Sequence, residues 1–359
     1  MYLDYLPATA ISSFCFCLIL IFLDTKAAKL GDINLRDSPQ TLHHKSVSRF
    51  GGVAIVLSIT LASFLAGYSW NNSLYYQVGI LSLPAFFVGF LDDFKISIQP
   101  WKRLLLLVPI PIIYFYYFDL KITNLDIGFL DNFLEFEFFA LLFLCFSIVG
   151  MINAFNLIDG VNGLLVSYLM SILFALILVE NAVGPIFDIN DEFRIYTNML
   201  LGALIGFLIL NYPFGKIFMG DAGAYYLGAL VCFGLIHAHL ENNSSPWAVM
   251  CLLSYPFTDL VFSVIRKKFI VGTKAMQPDA EHLHHVIFTR LNELRFRHDR
   301  AKHFFTVMFI TLLNLPYLCL SLYFLNNSSA LILIFIAYIV SYLLIYFSLS
   351  PRFLIRDEN

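Results

Sequence analysis

The chain is poor in charge. Asp, Glu, Lys and Arg supply only 13% of its 359 residues, about half the share of an ordinary soluble domain. So few charges would not keep a water-soluble fold of this size in solution. The composition also lacks what other classes require. It is 59% apolar, which excludes disorder and a charge-rich coiled coil. Its 19 Gly have no triplet repeat, which excludes collagen, and its 6 Cys show neither disulfide-scaffold nor zinc spacing. All six fall in apolar stretches and read as small packing residues. No internal repeat, low-complexity segment or nucleic-acid-binding pattern is present.

What is abundant is apolar length, with 38 Phe and 19 Tyr. A bilayer-spanning helix needs about 20 mostly apolar residues. Eleven such stretches occur, at 3–23, 50–68, 74–91, 101–118, 136–155, 163–180, 195–211, 222–240, 247–265, 304–325 and 329–349. They are continuous rather than alternating, which favours helices over a β-barrel. The first has Asp4, no preceding basic residue and no small-residue cleavage site, so it reads as helix rather than signal peptide. The expectation is an all-α integral membrane protein, one polytopic domain over 1–359 with about 11 transmembrane helices.

The basic residues orient it. One alternate set of connections, 24–49, 92–103, 156–162, 212–221, 266–303 and the tail from 350, holds 20 of the 22 Lys and Arg. The other set holds Lys121 and Arg194. Cytoplasmic loops carry the basic excess, so the first set is expected inside, the N-terminus outside and the C-terminus inside.

The outward loops are bland, and the inward loops carry clustered chemistry. Asp92-Asp93 ends the third stretch, with Lys102 and Arg103 following. The pair suits either a charged helix end or a divalent cation. Asn153-Ala-Phe-Asn156-Leu-Ile-Asp159-Gly160-Val-Asn162-Gly163 packs three amides, an acid and two glycines into eleven residues. Asn153 and Asn156 lie deep in an apolar run, which suits a cavity better than a turn. Asn211 through Gly223 contains Gly220-Asp221. Asp221 suits a helix N-cap or a metal ligand whose neighbouring N–H groups face an anion. Asp279 to His285 holds His282, His284 and His285 inside a basic loop, suited to phosphate oxygens or zinc. A segment from Asp37 to Gly52 includes Lys45 and Arg49, which suit an anchor or a lipid phosphate. Asp259 is the remaining intramembrane acid and reads as a structural hydrogen-bond partner.

Together these motifs resemble the polyprenyl-phosphate N-acetylhexosamine-1-phosphate transferases, the WecA/MraY family of membrane enzymes. The matching pieces are Asp92-Asp93, Asn153–Gly163, Phe218-Met-Gly-Asp221-Ala-Gly223 and Asp279–His285, in the family's order, with Asp37–Gly52 a looser match. His282-Leu-His284-His285 is similar to the WecA and teichoic-acid branch. Asn162 stands where the family usually has Asp, and Ala224 where it often has Ser. The resemblance implies transfer of a sugar 1-phosphate, N-acetylglucosamine 1-phosphate above all, from a UDP-N-acetylhexosamine to undecaprenyl phosphate. UMP would be released as a cell-envelope glycan is begun, on the cytoplasmic face of a bacterial inner membrane. Another UDP-N-acetylhexosamine or a phospho-MurNAc-pentapeptide is the alternative donor group, and a homodimer is compatible with the family.

It implies Mg²⁺, with Mn²⁺ as a substitute, on Asp221 together with Asp93 or Asp159. Asp92 would deprotonate or orient the lipid phosphate, faced by Lys102 and Lys45. Asn156 and Asp159 would hold the nucleotide or its metal, and Asn153, Asn162 and Asn211 would bind substrate. His282, His284 and His285 would contact the donor phosphates. Phosphate attacking phosphate needs positioning and charge neutralisation, and Mg²⁺ prefers oxygen ligands and keeps waters and substrate phosphates in its shell. Direct displacement is the favoured route, and a covalent phosphosugar on an Asp is the rival. A lipid or sugar transporter would place ionisable residues near mid-membrane instead. A zinc hydrolase would need further ligands beside the histidines.

Overall fold

The computed structural model describes residues 5–30, 47–94, 98–183, 191–271, 281–294, 296 and 298–350. Lys45 and Asp279 of the motifs lie outside these residues. The chain is all-helical. In order run α1 (Tyr5–Leu30), α2 (Gly51–Leu65), α3 (Leu74–Leu81), α4 (Leu83–Asp93), α5 (Pro100–Leu107), α6 (Pro109–Tyr117), α7 (Gly128–Leu134) and α8 (Glu137–Ile158). Then follow α9 (Leu164–Val183), α10 (Asp191–Asn211), α11 (Gly220–Asn242), α12 (Pro246–Leu252), α13 (Ser254–Ile265), α14 (Leu283–Glu293), α15 (Asp299–Tyr323) and α16 (Ser328–Leu349). A π-helical turn, Arg266–Val271, prolongs α13. No strand forms among the described residues, and one isolated parallel bridge joins Ser48 to Ile217.

Among the described residues, each of the eleven apolar stretches falls on helix, yet fewer than eleven helices are long and apolar enough to cross a bilayer. Of these described helices, seven pass by length and composition, or eight if the pair Pro246–Leu252 and Ser254–Phe269, bent by 76°, counts as one span. The shortfall has local causes. α2 has 15 residues. The 101–118 stretch divides into α5 and α6 at Val108, where Pro109 and Pro111 remove helix N–H donors. The long helices suit a membrane: α8, with 22 residues, measures about 33 Å at 1.5 Å per residue. Large apolar side chains such as Phe64, Phe146, Leu333 and Leu344 are exposed, which in a multi-pass membrane protein is the lipid-facing surface.

Small residues set the packing. α11 is the central helix, flanked by α2, α4 and α8. A Cβ on Gly52 of α2 would fall 2.3 Å from Cα of Gly223, and one on Gly89 of α4 would fall 2.3 Å from the carbonyl oxygen of Asp221. Backbone thus touches backbone at the start of α11. At the edge, Gly202 and Gly206 seat α10 on α1. A Cβ at Gly206 would lie 2.2 Å from the carbonyl oxygen of Ala10, and Ser13 Oγ donates to the carbonyl of Ala203 at 2.7 Å. This is the small-xxx-small arrangement of membrane helix pairs.

Candidate active site

The start of α11 is the organising point. Gly220 adopts φ +77°, and a side chain there would collide with the backbone of Arg49 and the carboxylate of Asp93. Ahead of it, Phe218 N donates to the Ser48 carbonyl at 2.8 Å. Gly51 N and Gly52 N donate back to Phe218 and Met219 at 2.9 and 2.8 Å. The loop before α11 is therefore tied to the start of α2.

Asp93 reaches this point from α4. Its two carboxylate oxygens accept from Asp221 N at 3.1 Å and Ala222 N at 3.0 Å. A helix leaves its first N–H groups unpaired, and a carboxylate there meets the positive end of the helix. Two expectations change. The cap of α11 is Asp93 from another helix rather than Asp221, and the N–H groups of Asp221 and Ala222 face Asp93 rather than a free anion. Asp93, with both oxygens engaged, becomes the residue that holds Asp221 in place.

Asp92 points elsewhere, because adjacent helical residues do not share a face. It pairs with Nη1 of Arg103, which also lies 3.5 Å from Asp221 Oδ2. Arg103 therefore bridges Asp92 and Asp221. Lys102, expected to face the lipid phosphate, is exposed with its Nζ 5.5 Å from the centre of the Trp101 ring. The adjacent-residue geometry gives the inward position to Arg103. The sequence held both cations, but the phase of α5 is fixed only by packing.

From α8, Asn156 is a polar neighbour of Asp221, and Asn153 lies one turn earlier, half-buried. Asp159 follows the last residue of α8 and is an electrostatic neighbour of Asp221 and Asp93. Dense packing around it, then those two carboxylates, push its pKa well above the usual carboxylate range, against the pull of Arg49. Arg49 acts on Asp93, Asp159 and Asp221 alike. It is a second cation of the cluster, drawn from the looser Asp37–Gly52 segment, just before the Gly51-Gly52 pair.

The histidines flank this cluster. A Cβ on Gly160 would lie 2.8 Å from His285 Nε2 and 2.9 Å from His284 Nε2, so the glycine lets the loop of Asp159 lie against both rings. His284 is fully buried, with Nδ1 3.0 Å from the Tyr255 hydroxyl. His282 Nδ1 lies 2.7 Å from Asp259 Oδ2. Asp259 Oδ1 accepts from Leu283 N at 3.1 Å and the Tyr342 hydroxyl at 2.7 Å. Asp259 is thus the structural partner expected of it, and that partnership fixes the ring of His282.

Two amides stand apart. Asn211 donates from Nδ2 to the Ile217 carbonyl at 2.8 Å, closing the loop before α11. Asn162 is buried, and its backbone N donates to His303 Nδ1 at 3.3 Å; its side-chain Nδ2 has no protein partner among the described residues.

The structure thus assembles Asp92, Asp93, Asp221, Asp159, Asn156 and Arg103 at one end of the bundle, with the three histidines beside them. Among the described residues, no three His, Cys, Asp or Glu side chains converge closely enough to enclose a metal ion. The oxygen donors of Asp221, Asp159 and Asn156 suit a hard cation that draws the rest of its shell from phosphate and water.

A profile of glycosyl transferase family 4 matches residues 75–239. The resemblance read from the motifs is borne out. The match takes in Asp92-Asp93, the Asn153–Gly163 segment and Asp221. The chain is also similar to two proteins named undecaprenyl-phosphate alpha-N-acetylglucosaminyl 1-phosphate transferase. That of Thermotoga maritima is 27% identical over 259 residues, 72% of this chain and 74% of the relative. That of Escherichia coli K12 is 27% identical over 290 residues, 77% and 75%. A phospho-N-acetylmuramoyl-pentapeptide-transferase of Streptococcus sanguinis is 29% identical over 247 residues, 65% and 72%.

Proposed function

We propose that this family 4 glycosyl transferase moves a sugar 1-phosphate, N-acetylglucosamine 1-phosphate first among candidates, from a UDP-sugar to undecaprenyl phosphate. The observation that carries the reading is the Asp92–Arg103–Asp221 bridge beside Asp159 and Asn156 at one end of a membrane bundle. Relatives whose names state this reaction add support. The basic excess of the connections at that end supports a cytoplasmic site, an outward N-terminus and an inward C-terminus. The apolar stretches support eleven passages, with α2, α9 and the broken α5–α6 pair among them, in a bacterial inner membrane.

An oxygen of the lipid phosphate attacks the sugar-bearing phosphorus of the UDP-sugar. The bond from that phosphorus to the bridging oxygen breaks, and UMP leaves. Arg103 and Arg49 offset the accumulating negative charge. Asp92, held by Arg103, orients the lipid phosphate and takes its proton where one is present. Asn156 and Asp159 face the nucleotide, and the histidines face the donor phosphates. Mg²⁺, held by Asp221 and Asp159, would supply charge neutralisation on the phosphates. We read the route as direct displacement.

The test is UMP release by the purified protein in nanodiscs with undecaprenyl phosphate, UDP-N-acetylglucosamine and Mg²⁺. Turnover is expected, and other UDP-N-acetylhexosamines and UDP-MurNAc-pentapeptide replace the donor in parallel. No release with any of them would overturn the reading. A labelled phosphosugar trapped on the protein without lipid acceptor would overturn direct displacement.

A further inference from the structure

Tyr225 belongs neither to the acid cluster nor to the histidines. It lies on α11 one turn beyond Asp221, on the same face of the helix. Its side chain is fully buried, and its hydroxyl has no hydrogen-bond partner among the described residues. The surroundings are not apolar: the charged groups acting on that hydroxyl are Arg103, Asp221, Asp92 and Asp93. Tyr225 is in turn a principal neighbour of Arg103.

A buried phenol ordinarily finds a partner. Here the neighbouring groups already have theirs. Asp92 is paired with Arg103, Asp93 accepts two backbone N–H groups, and Asp221 Oδ2 lies 3.5 Å from the same guanidinium. What the hydroxyl lacks is an acceptor, and Arg103 beside it selects an anionic one. Asp221 and Tyr225 bracket that place along α11.

We infer that the Tyr225 hydroxyl donates a hydrogen bond to a phosphate oxygen of a substrate bound against Arg103. This rests on the phosphosugar-transfer reading, and the phosphate belongs either to the lipid acceptor or to the nucleotide donor. The ring needs nothing from the protein, so Tyr225→Phe removes only the donor. A hydroxyl without a ligand partner would be neutral or favourable to lose, because burying an unpaired polar group is costly.

The experiment compares wild type and Tyr225→Phe in nanodiscs with UDP-N-acetylglucosamine, undecaprenyl phosphate and Mg²⁺. It measures UMP release, the KM of each substrate, the thermal midpoint, and the shift of that midpoint on adding UMP. Expected is a fall in kcat/KM of about 10- to 100-fold, the range for one hydrogen bond to a charged group, with an unchanged or higher midpoint. A raised KM for undecaprenyl phosphate places the bond on the lipid phosphate. A raised KM for the UDP-sugar, with a smaller UMP-induced shift, places it on the donor. A fall confined to kcat places it on the phosphoryl group in transfer. Kinetics and UMP shift both unchanged, in a wild type that turns over, would overturn this inference alone. An activity loss that tracks a lowered midpoint would overturn it equally. A wild type that releases no UMP with any UDP-hexosamine overturns the functional reading, and this assignment with it.

Discussion

At the end of the bundle remote from the acid cluster, carboxylates close local structure. Asp126 accepts from the hydroxyls of Ser245 and Ser328, and Glu192 accepts from Ser73 Oγ at 2.7 Å and Tyr75 N at 3.0 Å. Hydroxyl and backbone donors satisfy them, and no cation is needed. At the other end, Asp92 and Asp221 share one guanidinium, Asp159 lies beside Asp221 and Asp93, and Asn156 reaches into the same space. Carboxylates that repel one another stay together only where a cation or a ligand compensates. The same residue type is therefore structural at one end and chemical at the other.

Substitution tests that contrast most strongly at Asp221 and Asp126. Asp221→Asn keeps the shape and removes a charge from the site. Its kcat is expected to fall by about 100-fold or more, the scale for losing a group that stabilises transition-state charge. Asp126→Ala removes the acceptor shared by Ser245 and Ser328, and Ser328 keeps Ser245 as its acceptor. It is expected to lower stability by about 1–2 kcal/mol while UMP release stays near wild type. Equal losses of activity at the two ends would erase the distinction.

Asp259 crosses the comparison, being buried like a structural acid yet tied to a histidine of the site. Asn in its place cannot accept from the His282 ring, Leu283 N and the Tyr342 hydroxyl as a carboxylate does. Breaking a fully buried pair costs about 3–5 kcal/mol, so Asp259→Asn is expected to unfold at clearly lower denaturant concentration. Tyr342→Phe, losing one neutral donor, should cost about 1 kcal/mol. If the two variants match in denaturant midpoint, the Asp259–His282 pair is not what anchors the start of α14.

The legible part of this arrangement was its residue types and their order. Continuous apolar runs gave the helical membrane class, and the Asp92-Asp93 and Gly220-Asp221 motifs marked two of the elements that meet. What stayed hidden was helix phase. Whether Lys102 or Arg103 faces inward, and which of Asp92 and Asp93 caps α11, depends on a rotation of about 100° per residue that neighbouring helices fix. The Asp259–His282 contact spans 23 residues of sequence, and its partner is visible only once α13 and α14 are packed. The shortness of α2 and the break at Val108 likewise escaped a reading of apolar length alone.

Asp93 sharpens the comparison at smaller amplitude. Its role is a cap made across helices, and caps contribute about 1 kcal/mol. Asp93→Asn keeps one acceptor oxygen and Asp93→Ala keeps none. Stability is expected to fall in that order by about 0.5 and 1–2 kcal/mol, measured by urea unfolding in detergent. Turnover should fall with it, because Asp221 loses its anchor. Stability unaltered in Asp93→Ala would return Asp93 to the metal ligands.

His284 gives the smallest and most specific test, one of pH. It is fully buried between Tyr255 and Gly160. Burial first, then the neighbouring His285, holds its pKa well below the ordinary histidine value, against the opposing pull of Asp259. The folded protein therefore keeps the ring neutral where the unfolded chain, with a pKa of about 6.5, takes up a proton. The unfolded state binds more protons on the acid side, so stability is fully present above about pH 6.5 and is lost as pH falls toward the folded pKa. The slope attributable to this group is at most about 1.4 kcal/mol per pH unit. Unfolding midpoints between pH 7.5 and 5.5 should fall less steeply in His284→Gln than in wild type. Identical slopes would mean that the ring takes up its proton in the folded state just as it does in the unfolded chain, and the crowded contact with Gly160 would then bring a cation, on the acid side, against the loop of Asp159.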